Sequence, residues 1–252
     1  MSKIAIIGGT GLTSLNNLTI LRREIVQTPY GEPSGPLTHG KICGTDVIFL
    51  ARHGYGHTIP PHKVNYRANL WALHEAGAAY IIAVNAVGGI STQFKPTNLS
   101  IPDQLIDYTY SRKNTYFEEG LTQVVHVDFT EPYCEELRQF IISKAKMNDI
   151  ELIESATYAA TQGPRLESIA EINKLEKDGC NIVGMTGMPE TALARELEMC
   201  YASIAVVANY AAGKSANNIT MEIIEQNLTK GMVAVKKLLE IVIPKISCDF
   251  KN

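Results

Sequence analysis

The chain has 252 residues, of which 45% are hydrophobic and 19% are charged, and its formal net charge is −3 at pH 7. This composition is that of an ordinary globular protein that can bury a sizeable core. The small negative charge and the lack of a Lys- or Arg-rich block argue against a nucleic-acid or membrane partner. A small anionic ligand would therefore have to be held by a few well-placed groups.

The cysteines are odd in number and show no Cys-x-x-Cys spacing, which argues against a disulfide framework and against a zinc site. Free thiols in a reducing cytoplasm are expected instead. The first apolar stretch is broken by glycine after a few residues, and no later run is long enough to span a bilayer. The sequence predicts a soluble, cytoplasmic protein. Its cysteines are Cys43, Cys134, Cys180, Cys200 and Cys248.

Short β-branched runs alternate with longer helical patterns, which indicates an α/β fold. The run at 80–86 is apolar on both faces, as in a central strand covered by helices. We expect a hairpin turn at Gly44–Thr45, a last helix that stops before Pro244, and a single domain over residues 1–252. The predicted strands span 3–7, 41–51, 80–86, 99–107 and 201–209, and the predicted helices span 64–75, 131–147, 168–177, 189–198 and 221–243.

Three glycine-containing loops directly follow predicted strands. GGTGL (8–12) fails the dinucleotide fingerprint because Ser14 stands at the third glycine position, yet such a turn can still wrap backbone N–H groups around a phosphate. ARHGYGH (51–57) adds a guanidinium fork, and NAVGG (85–89) is the third loop. Each loop alone can be a plain turn, and Arg52 with His53 a structural pair. Together they predict an anion site at the carboxyl ends of the strands.

Three further motifs have two interpretations each. In GPRLES (163–168), Glu167 either contacts a ligand or only stabilises the start of a helix. GMTGMPE (184–190) brings Thr186 into a loop of similar form. VVANYAAGKSANN (206–218) is nearly a P-loop, but Ala208 stands where that motif needs its first glycine. We therefore interpret Asn209 as a ligand-binding amide at the end of a strand and Gly-Lys-Ser as an ordinary loop.

The blocks GGTGL, ARHGYGHTIPPHKVNYRANLWAL, NAVGG, GPRLES, GMTGMPE and CYASIAVVANY occur in this order. Together they resemble the trimeric purine nucleoside phosphorylase family, and the nearest branch is that of the methylthioadenosine phosphorylases. The resemblance runs from about residue 3 to about residue 245. It implies an α/β fold with a central mixed β-sheet flanked by helices, and a homotrimer. It implies no metal and no organic cofactor, with inorganic phosphate as co-substrate.

The implied reaction is phosphorolysis, in which phosphate attacks the anomeric carbon of a nucleoside and the purine leaves. The anion is nucleophile and counter-charge at once, and the leaving base needs a hydrogen-bond donor. Arg52, His53 and Asn209 would carry the catalysis. By resemblance, the phosphate site comprises Thr10, Arg52, His53, Asn85, Ala86 and Thr186. The nucleoside site comprises His57, Leu166, Glu167, Met185, Asn209, Ala211 and Met221, with His126 lent by a neighbouring subunit.

The chain departs from the methylthioadenosine branch at the base. That branch carries Asp-Tyr-Asp where this chain has Asn209-Tyr210-Ala211, and an amide that can donate and accept suits a 6-oxopurine. Glu167 matches a glutamate that accepts the purine N1–H in inosine and guanosine phosphorylases. A 6-aminopurine lacks this N–H and would leave Glu167 unpaired, at a cost of about 1–3 kcal/mol. Leu166 replaces the usual phenylalanine. The predicted base is hypoxanthine.

The 5′ end of the sugar points to a different branch. Aligning MEII (221–224) on a His-Glu-Glu-Val stretch of inosine phosphorylases places Met221 where a histidine reaches the 5′-hydroxyl. Methionine suits a methylthio group instead, unless Met221 is a core residue. The predicted reaction converts S-methyl-5′-thioinosine and phosphate to hypoxanthine and S-methyl-5-thioribose 1-phosphate. Inosine or guanosine is the second candidate and methylthioadenosine the third. A non-catalytic nucleoside-binding module and a P-loop ATPase are the alternatives of a different class.

Overall fold

The computed structural model of the chain describes residues 3–9, 17–216 and 218–249, with side chains up to residue 246. Four strands precede the first α-helix, three more lie between the first and second α-helices, and from the second α-helix onwards helices and strands alternate. The strands are Lys3–Gly8 (β1), Thr19–Glu24 (β2), Leu37–Ile42 (β3), Thr45–Ala51 (β4), Ala78–Gly89 (β5), Leu99–Ser100 (β6), Gln104–Asp107 (β7), Thr157–Ala160 (β8), Ile182–Gly184 (β9) and Cys200–Tyr210 (β10). The α-helices are Tyr66–Glu75 (α1), Glu135–Lys146 (α2), Ile169–Lys177 (α3), Gly187–Glu196 (α4) and Met221–Asp249 (α5).

All of these strands belong to a single mixed sheet, which confirms the predicted fold class. The strand order is β2-β3-β4-β1-β5-β9-β8-β7, and β10 pairs with β5 and β6. The pairs β1–β4, β1–β5, β5–β10, β7–β8 and β8–β9 are parallel, whereas β2–β3, β3–β4, β5–β9 and β6–β10 are antiparallel.

The central strand β5 changes its neighbour along its length. On one side it pairs with β10 from Tyr80 to Gly89. On the other side it pairs with β1 up to Ala83 and with β9 only from Gly88. On this side, the stretch of β5 between Ala83 and Gly88 therefore lies between the end of one neighbouring strand and the start of the next. Such a switch point at the carboxyl ends of strands is where open α/β sheets bind ligands.

Local sequence signals set the ends of the helices. The side chain of Asn65 caps α1 by accepting a hydrogen bond from the amide of Ala68. Gly77 follows α1 with φ +86°, as predicted for a helix stop. Ser168 and Glu171 form a reciprocal capping box at the start of α3. Residues 168–177 therefore begin with a cap, and the helix itself starts at Ile169.

Helix α5 does not stop before Pro244, so that prediction was wrong. The helix continues to Asp249 with the proline inside it. Leu239, Val242, Ile243 and Ile246 are buried against the sheet, and their contacts with the core continue past the proline. We attribute the continuation to this packing, which outweighs a cost of about 3 kcal/mol for an interior proline.

Several strand predictions also needed correction. The hairpin turn lies at Cys43–Gly44, whose φ values are +48° and +82°, one residue earlier than expected. Residues 99–107 form two short strands instead of one. Strand β2 lies at the sheet edge and is almost wholly exposed, so its sequence has no apolar alternation. Strands β8 and β9 have only four and three residues, too few for a periodicity signal.

The expectation of free thiols was wrong for one pair of cysteines. Cys134, at the start of α2, forms a disulfide with Cys200, the first residue of β10. The bridge closes a sequence separation of 66 residues, and such a loop is stabilised by about 4 kcal/mol in the chain-entropy account. Cys43 and Cys180 are free. A pairing between distant residues leaves no spacing signal in the sequence.

Within the described ranges, none of the helices combines the length and apolar character that crossing a membrane requires.

Candidate active site

A cavity of about 560 Å³ opens at the switch point of the sheet. The ends of β4, β5, β9 and β10 contribute to its walls, together with the loops that follow them. Most of the residues predicted for phosphate and nucleoside meet in it. These are Arg52, His53, His57, Ala86, Leu166, Glu167, Met185, Thr186, Asn209, Ala211 and Met221.

Arg52 is held by a buried carboxylate. Its Nε and Nη2 donate to the two carboxylate oxygens of Glu190 at 2.6 and 2.7 Å, and neither residue is exposed to solvent. Its Nη1 donates to the carbonyl of Val84, in the stretch of β5 between the partners β1 and β9. Each terminal nitrogen keeps a second N–H that can bind an anion in the cavity.

The hydroxyl of Tyr201 completes the contacts of Glu190 by donating to its Oε1 at 2.8 Å. Burial alone lowers the pKa of Arg52, but the adjacent Glu190 carboxylate raises that pKa above its ordinary value. Burial, and then the same carboxylate, raises the pKa of Tyr201 well above 10. The guanidinium is therefore permanently charged and fixed in orientation, with its charge neutralised by Glu190.

Gly9, in the first glycine-rich motif, leaves room for the side chain of this arginine. A Cβ atom on Gly9 would lie 2.6 Å from Arg52 Nη1 and 2.8 Å from the carbonyl oxygen of Val84. Gly9 is therefore required for the approach of the guanidinium to β5. NAVGG does not form a loop but lies within β5, where a Cβ on Gly89 would clash with the carbonyl of Phe94. The predicted phosphate ligand Thr10 lies outside the described residues.

His53 is a neutral imidazole with a defined tautomer. Its Nδ1 lies 2.8 Å from the carbonyl oxygen of Ile59, which can only accept, so Nδ1 carries the proton. Burial, and then the charge of Arg52, lowers the pKa of His53 to about 4. At neutral pH its Nε2 is therefore an acceptor. The ring of His57 lies 4.7 Å from that of His53, at an exposed position of the cavity rim.

Thr186 enters the cavity just before α4, with its hydroxyl tied to the central strand. Asn85 donates from Nδ2 to Thr186 Oγ1 at 2.8 Å, and Ser203 donates to Asn85 Oδ1 at 2.8 Å. Asn85 is buried and is not among the cavity-lining residues. The structure thus places Asn85 behind Thr186, whereas Ala86 reaches the cavity.

Glu167, the predicted base-binding carboxylate, is held by a threonine side chain. Thr161, directly after β8, donates its hydroxyl to Glu167 Oε1 at 2.6 Å. Oε2 accepts no hydrogen bond from the described residues, and Glu167 lines the cavity. Leu166 and Met185 also line the cavity. One carboxylate oxygen is thus fixed by the protein while the other can accept from a ligand.

Asn209 lies at the end of β10, as predicted. Its Nδ2 donates to the carbonyl of Tyr210 at 2.7 Å, which leaves a second amide N–H and the side-chain oxygen for a ligand. Asn227 of α5 supports this strand end by donating to the carbonyl of Ala208. Lys214 points elsewhere and forms an ion pair with Glu176 at 2.6 Å. The Gly-Lys-Ser loop therefore does not hold its lysine at the cavity, contrary to a P-loop.

Met221 is the first residue of α5 and stands at the mouth of the cavity, with 62% of its surface exposed. Ile219 and Ile224 line the same side and make this end of the cavity apolar. The prediction for His126 falls on an exposed coil, away from the lining residues. Its suggested contact with a neighbouring subunit stays a prediction.

Sequence reasoning missed the residues that hold the site in place. Glu190 binds Arg52, Tyr201 binds Glu190, and Thr161 binds Glu167. The signal available for Glu190 was an acidic residue within the otherwise uncharged stretch GMTGMPETALA. Among the described residues, no three His, Cys, Asp or Glu side chains are grouped so that they could hold a metal ion.

Comparison with known proteins identifies the family of this chain. Residues 3–244 match the model of the phosphorylase superfamily. A probable S-methyl-5′-thioinosine phosphorylase of Pseudomonas syringae pv. tomato is 53% identical over 95% of this chain and 97% of that protein. The 6-oxopurine nucleoside phosphorylase of Pyrococcus furiosus is 46% identical over 98% of this chain and 94% of that protein.

A solved structure has the same fold. The methylthioadenosine phosphorylase of Schistosoma mansoni in complex with adenine superposes with a TM-score of 0.94 at 32% identity. The match covers 98% of this chain and 92% of that one. The predicted family is confirmed. The chain belongs to the phosphorylase superfamily and is an enzyme of the purine nucleoside phosphorylase type.

Proposed function

We propose that this enzyme cleaves S-methyl-5′-thioinosine with phosphate, giving hypoxanthine and S-methyl-5-thioribose 1-phosphate. The observation that carries the proposal is that one cavity combines polar groups suited to a 6-oxopurine with an apolar entrance. The polar groups belong to Glu167 and Asn209, and the apolar entrance is formed by Ile219, Met221 and Ile224. The names of the relatives from Pseudomonas syringae and Pyrococcus furiosus support both the methylthio group and the 6-oxopurine.

The base is recognised by two side chains of complementary character. Glu167 Oε2 accepts the N1–H of hypoxanthine, while Thr161 holds the other carboxylate oxygen. The free amide N–H of Asn209 donates towards O6 and N7, where negative charge develops as the base leaves. Adenine lacks the N1–H and carries an amino group at C6, so it mismatches both residues.

Phosphate binds at the part of the cavity that Arg52, His53 and Thr186 line. The two remaining N–H groups of Arg52 and the hydroxyl of Thr186 donate to its oxygens, whereas the bare Nε2 of His53 accepts from a protonated one. A phosphate oxygen forms a bond to C1′ of the ribose as the bond from C1′ to the purine nitrogen breaks. The purine takes both electrons of that bond and then a proton from solvent, and the phosphate ester releases its own proton to solvent, so the proton count is unchanged. Thr10 and the main chain at Ala86 are proposed as further phosphate ligands.

The assembly of the enzyme is proposed from the resemblance to the trimeric family. We propose a homotrimer in which His126 reaches the sugar site of a neighbouring subunit, so that a complete site needs two chains. Residues 1–252 form one catalytic domain that acts in the cytoplasm without a metal or organic cofactor. Its partners are the nucleoside and phosphate, with no nucleic acid and no membrane.

The proposed function is tested by measuring purine release from S-methyl-5′-thioinosine, inosine and methylthioadenosine in parallel, with and without phosphate. We expect phosphate-dependent cleavage of all 6-oxopurine substrates, with kcat/KM highest for S-methyl-5′-thioinosine. A higher kcat/KM for inosine would support the proposed recognition of the base but reject the proposed binding of a methylthio group. A higher kcat/KM for methylthioadenosine would reject the proposed recognition of a 6-oxopurine by Glu167 and Asn209. No cleavage of any substrate would favour a nucleoside-binding module.

Met221→His tests the 5′ end of the site. A histidine at the cavity mouth can donate to a 5′-hydroxyl but offers less apolar surface to a methylthio group, so kcat/KM for inosine should rise relative to that for S-methyl-5′-thioinosine. The side chain is exposed, and stability should change by less than about 0.5 kcal/mol. Glu222→His, at the next exposed position of α5, is the matched control. Equal losses for both substrates would show that Met221 does not face the 5′ group.

A further inference from the structure

Arg112 is the most extensively bonded side chain near the cavity, although it does not line it. Nε donates to the side-chain oxygen of Gln162 at 3.0 Å, and Nη2 to the carbonyls of Thr161 and Gln162 at 3.1 and 2.8 Å. Nη1 donates to the carbonyls of Met185 and Met188 at 2.8 and 2.6 Å, and to the Tyr66 hydroxyl at 3.4 Å. None of these acceptors is charged.

The position of Arg112 in the sheet explains this set of acceptors. Strands β7, β8 and β9 are parallel neighbours, and their paired ends are Asp107, Ala160 and Gly184. Arg112 follows β7, while Thr161 and Met185 directly follow β8 and β9. Beyond these ends the chain has no ladder partners. The planar guanidinium supplies donors in two directions and ties the two loops to each other.

Both loops carry residues of the proposed site. The base segment, residues 161–167, contains Thr161, whose hydroxyl holds Glu167. The phosphate segment, residues 185–188, contains Thr186, which lines the cavity and is a proposed phosphate ligand, and Met185, which was predicted for the nucleoside site. The amide of Thr161 donates to the carbonyl of Gly184 at 2.8 Å, and the Thr161 hydroxyl oxygen lies 3.3 Å from the same carbonyl oxygen. Beyond these contacts, Arg112 bridges the two segments.

We propose that Arg112 is a positioning residue that fixes the base segment against the phosphate segment and thereby couples the binding of base and phosphate. The inference rests on the proposed function, because it assigns the two segments to the two ligands. When one ligand orders its segment, the rigid guanidinium holds the other segment in place. Each ligand then tightens the binding of the other by the same factor.

Arg112→Gln and Arg112→Lys test the proposal, with Arg67→Gln as matched control. Arg67 is a half-buried arginine of α1 that contacts Glu118 and the carbonyl of Thr115 on the same long loop, without reaching either segment. We would measure kcat, the KM values for S-methyl-5′-thioinosine and for phosphate, and the melting temperature. The Kd of inorganic phosphate would be measured with and without hypoxanthine. Lysine keeps the charge but loses the planar fork, so it separates geometry from charge.

We expect both Arg112 variants to lose about 100-fold in kcat/KM, the scale of a 1 Å misplacement, at a melting temperature close to that of Arg67→Gln. Hypoxanthine should tighten phosphate binding at least about fivefold in the wild type and in Arg67→Gln, but not in the Arg112 variants. If coupling is absent from the wild type, or persists in a folded Arg112 variant, the proposal is overturned. If the wild type cleaves no 6-oxopurine nucleoside, the proposed function fails first.

Discussion

Arg52→Ala should lower kcat/KM for phosphate by about 10²- to 10³-fold, the scale seen when a preorganised donor to a developing charge is lost. The nucleoside KM should change far less, because the proposed ligand of Arg52 is phosphate and its other N–H groups are bonded to Glu190 and Val84. Initial rates at varied phosphate and saturating nucleoside measure the effect. An unchanged apparent affinity for phosphate would reject the anion site.

The same substitution also endangers the fold, and a second variant separates the two effects. Glu190 is fully buried, and removal of its partner leaves an uncompensated charge at a cost of about 3–5 kcal/mol. The double variant Arg52→Met with Glu190→Gln leaves no charge behind, so its stability in urea should recover most of this loss. Its use of phosphate should not recover. Recovery of both properties would mean that Arg52 only holds the fold together.

Asn209→Asp should reverse the preference for the base. A carboxylate placed against O6 and N7 offers acceptors to acceptors, whereas it can accept from the amino group of a 6-aminopurine. We expect kcat/KM for S-methyl-5′-thioinosine to fall by about 100-fold or more and the value for methylthioadenosine to rise. The readout is the ratio of the two values, which is insensitive to the amount of active enzyme.

Asn227→Asp is the matched control for this change. Asn227 supports the same strand end through the carbonyl of Ala208, but it does not line the cavity. Its replacement should affect stability and leave the base ratio unaltered. If Asn209→Asp also leaves the ratio unaltered, Asn209 does not read the base. A shift in both variants would trace the preference to the geometry of the strand end.

The sequence predicted those parts of the fold in which one segment carries its own signal. The runs that became β1, β5 and β10 are long and apolar, and Gly77 marks the end of α1. Elements that depend on distant partners were missed. Strand β9 has three residues that pair only because β5 and β8 lie beside it, and the disulfide joins residues far apart in the chain.

The candidate site shows the same division. Arg52, Glu167 and Asn209 follow strands or sit in motifs, so their presence at one cavity could be predicted. Their supports could not, because Glu190, Thr161 and Arg112 act through contacts between loops that follow different strands. Nothing local distinguishes Arg112 from the exposed Lys113 next to it.

The ion pair between Arg52 and Glu190 determines which positive group the negative charge of a bound phosphate stabilises. A lone arginine would cancel part of that charge, whereas this guanidinium is already neutralised by a carboxylate. It aligns the phosphate oxygens by the direction of its N–H groups and leaves their charge available. In the proposed reaction the sugar becomes cationic beside the phosphate, where two unit charges 4 Å apart attract by about 4 kcal/mol at an effective dielectric of about 20. Because the Arg52–Glu190 pair has no net charge, the negative charge of the phosphate is left to stabilise the cationic sugar.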